Sequence, residues 1–326
     1  MRLEDVRSGE QLLTFPTLEG QTWPLAFSPD GRLLASNNFY RPAADKDGKP
    51  SAARQTLRLW ETMTAAEVLS LPAADFLRVA FSADGRLLAL TGPAREIVVW
   101  DIARGRELRR FKDFEAEVIG LAFSLDGRRL ISGLADSTLL VWDVGTRESA
   151  PANKRGAEDA AKAWADLATK DAPRAFRARG TLASSPDEAI RLLKAHLHPA
   201  QAADSHRLHR LLSDLESSEF AVREKAQAAL AELGELAEPA LRQTLANKPT
   251  LEVRRRSQEL LDRLRGPVTR PELLRSLRAV AVLEDIASPA ARRLLKELAT
   301  GASEARLTRE AKAALRRLHP RIASNP

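Results

Sequence analysis

The stretch Leu121–Val144, LAFSLDGRRLISGLADSTLLVWDV, decides how the first half of the chain is read. It opens on Phe123-Ser124, turns at Asp126-Gly127, passes through a short apolar run and ends on Leu139-Leu140-Val141-Trp142-Asp143. The same frame occurs twice upstream. Phe81-Ser82 is followed by Asp84-Gly85 and closes on Ile97-Val98-Val99-Trp100-Asp101. Phe27-Ser28-Pro29-Asp30-Gly31 closes on Leu57-Arg58-Leu59-Trp60-Glu61. Phe81 to Phe123 and Trp100 to Trp142 are each 42 residues apart. Asp-Gly at each turn suits a tight hairpin, because glycine supplies the positive φ that the turn requires. Continuous runs such as Leu33-Leu34-Ala35 and Leu87-Leu88-Ala89-Leu90 read as strands covered on both faces, not as alternating ones.

A period of this length, with short strands and a terminal Trp-Asp, resembles the WD40 repeat, in which each copy builds one four-stranded propeller blade. The resemblance covers residues 1–148 and implies blades over about 23–71, 77–111 and 118–144. Residues 1–15 have the layout of the segment that starts at Val99, so they read as the outer strands of a partial blade. The resemblance makes Asp30, Gly31, Trp60, Asp84, Gly85, Trp100, Asp101, Asp126, Gly127, Ser132, Asp136, Trp142 and Asp143 structural residues. The family's polar network joins a His ahead of the first strand, a Ser or Thr, an Asp in the second turn, and the Trp. The third blade offers Ser132, Asp136 and Trp142, but no His stands near Glu115-Ala116-Glu117. The second blade has Arg95 near the Asp position and also lacks the His. An insertion in the first blade, Phe39 to Arg54, is expected to form a rim loop, the usual place for contacts. Three blades and a fraction fall short of the four or more that close a propeller. Exposed strand edges invite pairing with other chains. They are therefore expected to be covered by missing upstream blades of a longer protein, by a second subunit, or by the helical half.

That half follows a linker at 149–156 and spans 157–322. Residues 1–150 carry 19 Lys and Arg against 21 Asp and Glu, so the net charge of +7 resides in the second half. Apolar residues there take helical spacing, as in Trp164, Leu167 and Ala168. Ser185-Pro186-Asp187-Glu188 reads as an N-cap followed by proline in the first turn. The pattern Ala-x3-Leu-x2-Leu sits at Ala226, Leu230 and Leu233. It recurs with small changes at Ser257, Leu261 and Leu264, at Ala279, Leu283 and Ile286, and at Ala311, Leu315 and Leu318. Such helices look like HEAT-type pairs stacked as a short solenoid or bundle. The fold class expected is thus all-β plus all-α: an incomplete WD40 propeller of about three blades, then HEAT-like helices. This order of parts, with FAVREKAQAALAELGELAEPALRQTL and RAVAVLEDIASPAARRLLKELATG, is similar to WD40 proteins of planctomycete-type bacteria.

Candidate chemistry is sparse. The chain has no cysteine and no GxxxxGK[ST], GxSxG or HExxH pattern, so neither an enzyme activity nor a cofactor is expected. His196, His198, His206 and His209 tempt a metal assignment, yet Pro199 separates the two pairs, and they read as solvated helix-end residues. Arg254, Arg255, Arg256, Arg275 and Arg278 could line one face and track phosphates or an acidic partner. Against nucleic acid stand interleaved acids such as Glu252 and Glu259 and the absence of any aromatic residue after Phe220. No run of about 18 apolar residues spans a bilayer, and a cytoplasmic setting is expected. The expected function is a protein-interaction scaffold working through blade rims and a solenoid face. Its alternatives are binding of an acidic partner by the Arg-rich helices, and a fragment whose active domain lies upstream.

Overall fold

Three identical turns start the three larger sheets. The Ser28 hydroxyl donates to Asp30 Oδ1 at 2.5 Å, the Arg32 amide donates to the same oxygen at 3.1 Å, and the Leu33 amide donates to Ser28 Oγ at 2.9 Å. Ser82, Asp84, Arg86 and Leu87 repeat these bonds at 2.6, 3.0 and 2.9 Å. Ser124, Asp126, Arg128 and Arg129 repeat them at 2.6, 3.0 and 3.0 Å. Gly31, Gly85 and Gly127 all take φ near +70°, which a side chain would oppose. In this computed structural model the described residues are 1–7, 9–16, 18–43, 53–73, 78–92, 95–102, 104–145 and 157–318.

The strands pair antiparallel in chain order. β1 (Arg2–Glu4) and β2 (Gln11–Thr14) form a two-stranded sheet. β3 (Gln21–Phe27), β4 (Leu33–Tyr40), β5 (Arg54–Glu61) and β6 (Ala66–Pro72) form the first four-stranded sheet. β7 (Val79–Phe81), β8 (Leu87–Gly92), β9 (Glu96–Asp101) and β10 (Arg106–Phe111) form the second. β11 (Val118–Phe123), β12 (Arg129–Leu134) and β13 (Leu139–Asp143) make a sheet of three. The insertion in the first sheet does not begin as a loop. Tyr40 pairs with Arg54 and Phe39 with Gln55, so its ends continue the β4–β5 ladder. Its middle, 44–52, lies outside the described residues.

Successive sheets pack face to face through apolar side chains. Leu13 and Phe15 meet Leu34 and Trp60 between the two-stranded and first four-stranded sheets, with Phe15 edge-on to Trp60 at 5.8 Å. Leu57 and Leu59 meet Leu88 and Leu90 at the next interface. Ile97 and Val99 meet Leu130, Leu134 and Trp142 at the last. This explains why β8 reads as a continuous apolar run, since its six residues are all buried.

Helices follow: α1 (Ala157–Asp166) and α2 (Ala172–Ala183), then α3 (Pro186–His196), α4 (Ser205–Asp214) and α5 (Phe220–Leu233). A short 3-10 turn, Gly234–Ala237, leads to α6 (Glu238–Ala246), α7 (Leu251–Arg265), α8 (Pro271–Ile286), α9 (Pro289–Leu298) and α10 (Arg306–Leu318). The chain divides into two compact units, Met1–Ser185 and Pro186–Pro326, so α1 and α2 belong with the sheets. α2 is capped by Asp171, which accepts the Arg174 amide at 2.9 Å. It places Ala172 and Phe176 in the core between the two four-stranded sheets. In the second unit the small anchors Ala226, Ser257, Ala279 and Ala311 are all buried to 1% exposure or less, which lets neighbouring helices approach closely. α8 is buried along Leu277–Leu283, with Leu274 on the same helix also buried, as expected of a helix covered on most sides.

Candidate functional site

Several residues singled out by the repeat frame make hydrogen bonds within their own sheets. Trp60 Nε1 donates to Ser36 Oγ at 2.8 Å, and Trp142 Nε1 donates to Ser132 Oγ at 2.9 Å. The second sheet has Leu90 at the corresponding position. Asp101 receives the Arg104 amide at 3.0 Å and its guanidinium at 2.6 Å, and Asp143 receives the Gly145 amide at 2.8 Å. Asp136 holds only its own turn, accepting the Thr138 amide at 2.9 Å. Asp84 and Asp126 act within their turns, as described above. Arg95 adopts φ +51° and donates to the Glu115 carbonyl at 2.9 Å.

Asp30 goes further than its two counterparts. Its Oδ2 lies 3.0 Å from Arg32 Nη1 and 4.0 Å from Arg179 Nη2 on α2. The Arg179 guanidinium sits 5.5 Å above the Phe176 ring. Burial by itself pushes the Asp30 carboxyl up, but the two guanidinium groups, the Ser28 hydroxyl and the Arg32 amide outweigh it and lower it to about 2. Asp30 is thereby the electrostatic anchor of α2.

The basic set does not form one exposed row. Arg256 is buried, donating to Glu252 at 2.7 Å, to Glu224 at 2.6 Å and to Gln227. Arg278 is buried as well. Arg255 lies beside Glu252 and Glu259, and Arg275 beside Glu272 at 3.3 Å. Arg254 is exposed. His196, His198, His206 and His209 are exposed too, and the described residues contain no group of three or more metal-ligating side chains.

The surface that sequence reasoning missed is the outer face of the three-stranded sheet. Leu139 is 72% exposed, Val141 61%, Ile119 54% and Ile131 37%. Ile131 pairs with Val141 and with Ala122, which places them on one face. Ile119 and Leu139 converge over Gly133, where an added Cβ would meet them at 4.0 and 3.6 Å. Arg129 and Asp143, paired in register, close one end of this patch. Apolar patches of this kind mark protein docking sites on soluble molecules. Its signal was in the sequence: Leu139 and Val141 occupy the frame positions of Leu57 and Leu59 and of Ile97 and Val99, which neighbouring sheets bury.

The chain is thus a series of antiparallel sheets built on one sequence frame, packed in chain order and followed by helices. Residues 105–143 match the family model described as WD40: WD domain, G-beta repeat. The match runs from β10 through β13. Among the solved structures that match is the β-propeller domain of Cps50 (Swd1) from Myceliophteria thermophila. It is 20% identical and covers 39% of this chain and 37% of its own, with a TM-score of 0.31. The chain thus spans little more than a third of that structure. No curated protein matches. Among the described residues, no helix is long and apolar enough to cross a membrane.

Proposed function

We propose that this chain is a non-enzymatic protein-interaction scaffold of the cytoplasm. It presents the sheet rims and the open face of β11–β13 to one partner, and a HEAT-like helical face to another. The observation that carries the reading is the apolar patch of Ile119, Ile131, Leu139 and Val141, a core-type surface left uncovered. The HEAT-like reading of the helices has its own support. Glu224 bonds Arg256 and Gln227 bonds Glu259, each 32 residues apart, so α5 and α7 lie side by side in a repeat register. The Arg-rich face finds no such support, since two of its five members are buried.

The test is a photoreactive amino acid at position 139 of the full chain, irradiated in the cells that make it. A discrete adduct whose second component is a polypeptide is expected, either another protein or a second copy. Absence of a protein adduct at both 139 and 141, in chains whose tryptophan fluorescence shows them folded, would count against the scaffold.

A further inference from the structure

The helical unit holds a cavity of about 180 Å³ between the end of α5, the end of α7, the Gly266–Arg270 loop and the start of α10. Leu230, Leu260, Leu264 and Val268 give it apolar walls, and three arginines, Arg263, Arg270 and Arg306, line it as well. The acid among its lining residues is Glu235, and that carboxylate is already committed, accepting the Arg306 amide at the start of α10 at 3.1 Å. Three arginines therefore line the cavity against one carboxylate, which already holds Arg306.

Each guanidinium is placed with donors to spare. Arg306 donates one Nη2 bond to the Leu264 carbonyl. Arg270 donates one Nη1 bond to the Glu232 carbonyl at 3.2 Å. It lies over Gly234, where an added Cβ would stand 3.1 Å from Nη1 and where φ is +59°, so the glycine keeps that space open. Arg263 is exposed, and its side chain makes no hydrogen bond or ion pair among the described residues. A guanidinium carries five N–H donors in a planar fork that matches the paired oxygens of a carboxylate or phosphate. Burial pushes the Arg306 guanidinium down from its ordinary value, and Glu235 and Glu238 offset this only in part.

We propose that this cavity binds an oxyanion, a carboxylate or phosphate on a short apolar stem, with Arg263 and Arg270 at its mouth and Arg306 within. The size agrees, since a cavity of about 150 Å³ accommodates a molecule such as benzene. The site is separate from the sheet face of the scaffold reading, so either can fail without the other.

Calorimetric titration of the full chain with inorganic phosphate and, separately, with glutarate, both at fixed ionic strength, tests it. One saturable site for at least one of the two is expected in the millimolar range or below. A response to phosphate alone assigns a phosphoryl ligand, and a response to glutarate alone assigns a carboxylate. Arg263→Gln with Arg270→Gln should weaken binding roughly tenfold or more, since charge-assisted bonds are lost. Arg254→Gln, exposed on the same helix outside the cavity, should change nothing. Both arginines at the mouth are exposed, and an unchanged helical melt at 222 nm confirms that the double variant folds. Binding of neither anion, equal binding by the double variant, or equal weakening by Arg254→Gln would overturn the proposal.

Discussion

Replacing Asp30 by asparagine tests the ion cluster that ties α2 to the first turn. The Asp30 side chain is 13% exposed and faces Arg32 at 3.0 Å and Arg179 at 4.0 Å. A carboxyl lowered from the ordinary 3.8 to about 2 stabilises the folded chain by about 2 kcal/mol. The direction follows from proton binding. The unfolded carboxyl takes its proton near pH 4 and the folded one only near pH 2. The contribution is thus complete above about pH 4, shrinks as pH falls between the two values and is gone below about pH 2. The asparagine side chain keeps an oxygen for the Ser28 hydroxyl and the Arg32 amide but offers the guanidinium groups no charge. D30N should therefore be less stable than the parent by about 2 kcal/mol at neutral pH, and the difference should close in acid. All five tryptophans, at 23, 60, 100, 142 and 164, precede residue 186, so urea unfolding followed by tryptophan fluorescence reports the sheet-containing unit alone. Asp126 provides the control. It sits in the same turn and its carboxyl is also lowered, by the Ser124 hydroxyl first and the Arg128 amide next, but water surrounds it. D126N should leave stability close to that of the parent. A D30N deficit unchanged from pH 7 to pH 2, or a D126N deficit equal to it, would refute the reasoning.

Three further outcomes are expected. Ser36→Ala removes the acceptor 2.8 Å from the buried Trp60 indole and should cost about 1–2 kcal/mol in the same fluorescence assay. Gly20→Ala should destabilise the β3–β4 hairpin by about 1–3 kcal/mol, because φ is +89° there and the new Cβ would fall 2.1 Å from the Phe39 carbonyl oxygen. A circular-dichroism melt at 222 nm should show Arg317→Ala losing about 1.5–3 kcal/mol, since buried Glu284 then loses two charge-assisted bonds of 2.9 Å.

What the sequence makes legible is what it encodes locally. Ser-x-Asp-Gly closes its own turn within six residues, so all three copies fold as read. Trp142 and Ser132 meet across one hairpin, and Ser132 was named from the resemblance to the repeat's polar network. Phe39–Tyr40 and Arg54–Gln55 pair as strand, although the Pro-, Asp- and Lys-rich stretch between them reads as loop. Composition there says little of the strand ends that flank it. The Asp30–Arg179 pair joins residues far apart in the chain, so nothing near either one announces it. Arg256 reads as a surface residue by type, and only the 32-residue offset that brings Glu224 beside it explains its burial. The cavity arginines come from three separate elements, so no one run of sequence gathers them.

The open sheet face shows how far a strand's sequence outruns its environment. Leu57 and Leu59, Ile97 and Val99, and Leu139 and Val141 hold the same two frame positions before their tryptophans. The first four are fully buried because a further sheet lies over each pair. The last two have the same chemistry, with neighbours Ile119 and Ile131 more apolar than a solvated face requires, and they are exposed. Exposure here is a property of what stands opposite, not of β13 itself. Burying an aliphatic side chain of this size is worth about 1.5–3 kcal/mol. Four of them on one face, partly exposed already, offer a partner several kcal/mol before any hydrogen bond is counted. Polar substitution at Leu139 or Val141 should therefore leave the isolated chain as stable as before while abolishing the protein adduct. A polar change that instead unfolds the chain would show that these side chains already have their cover.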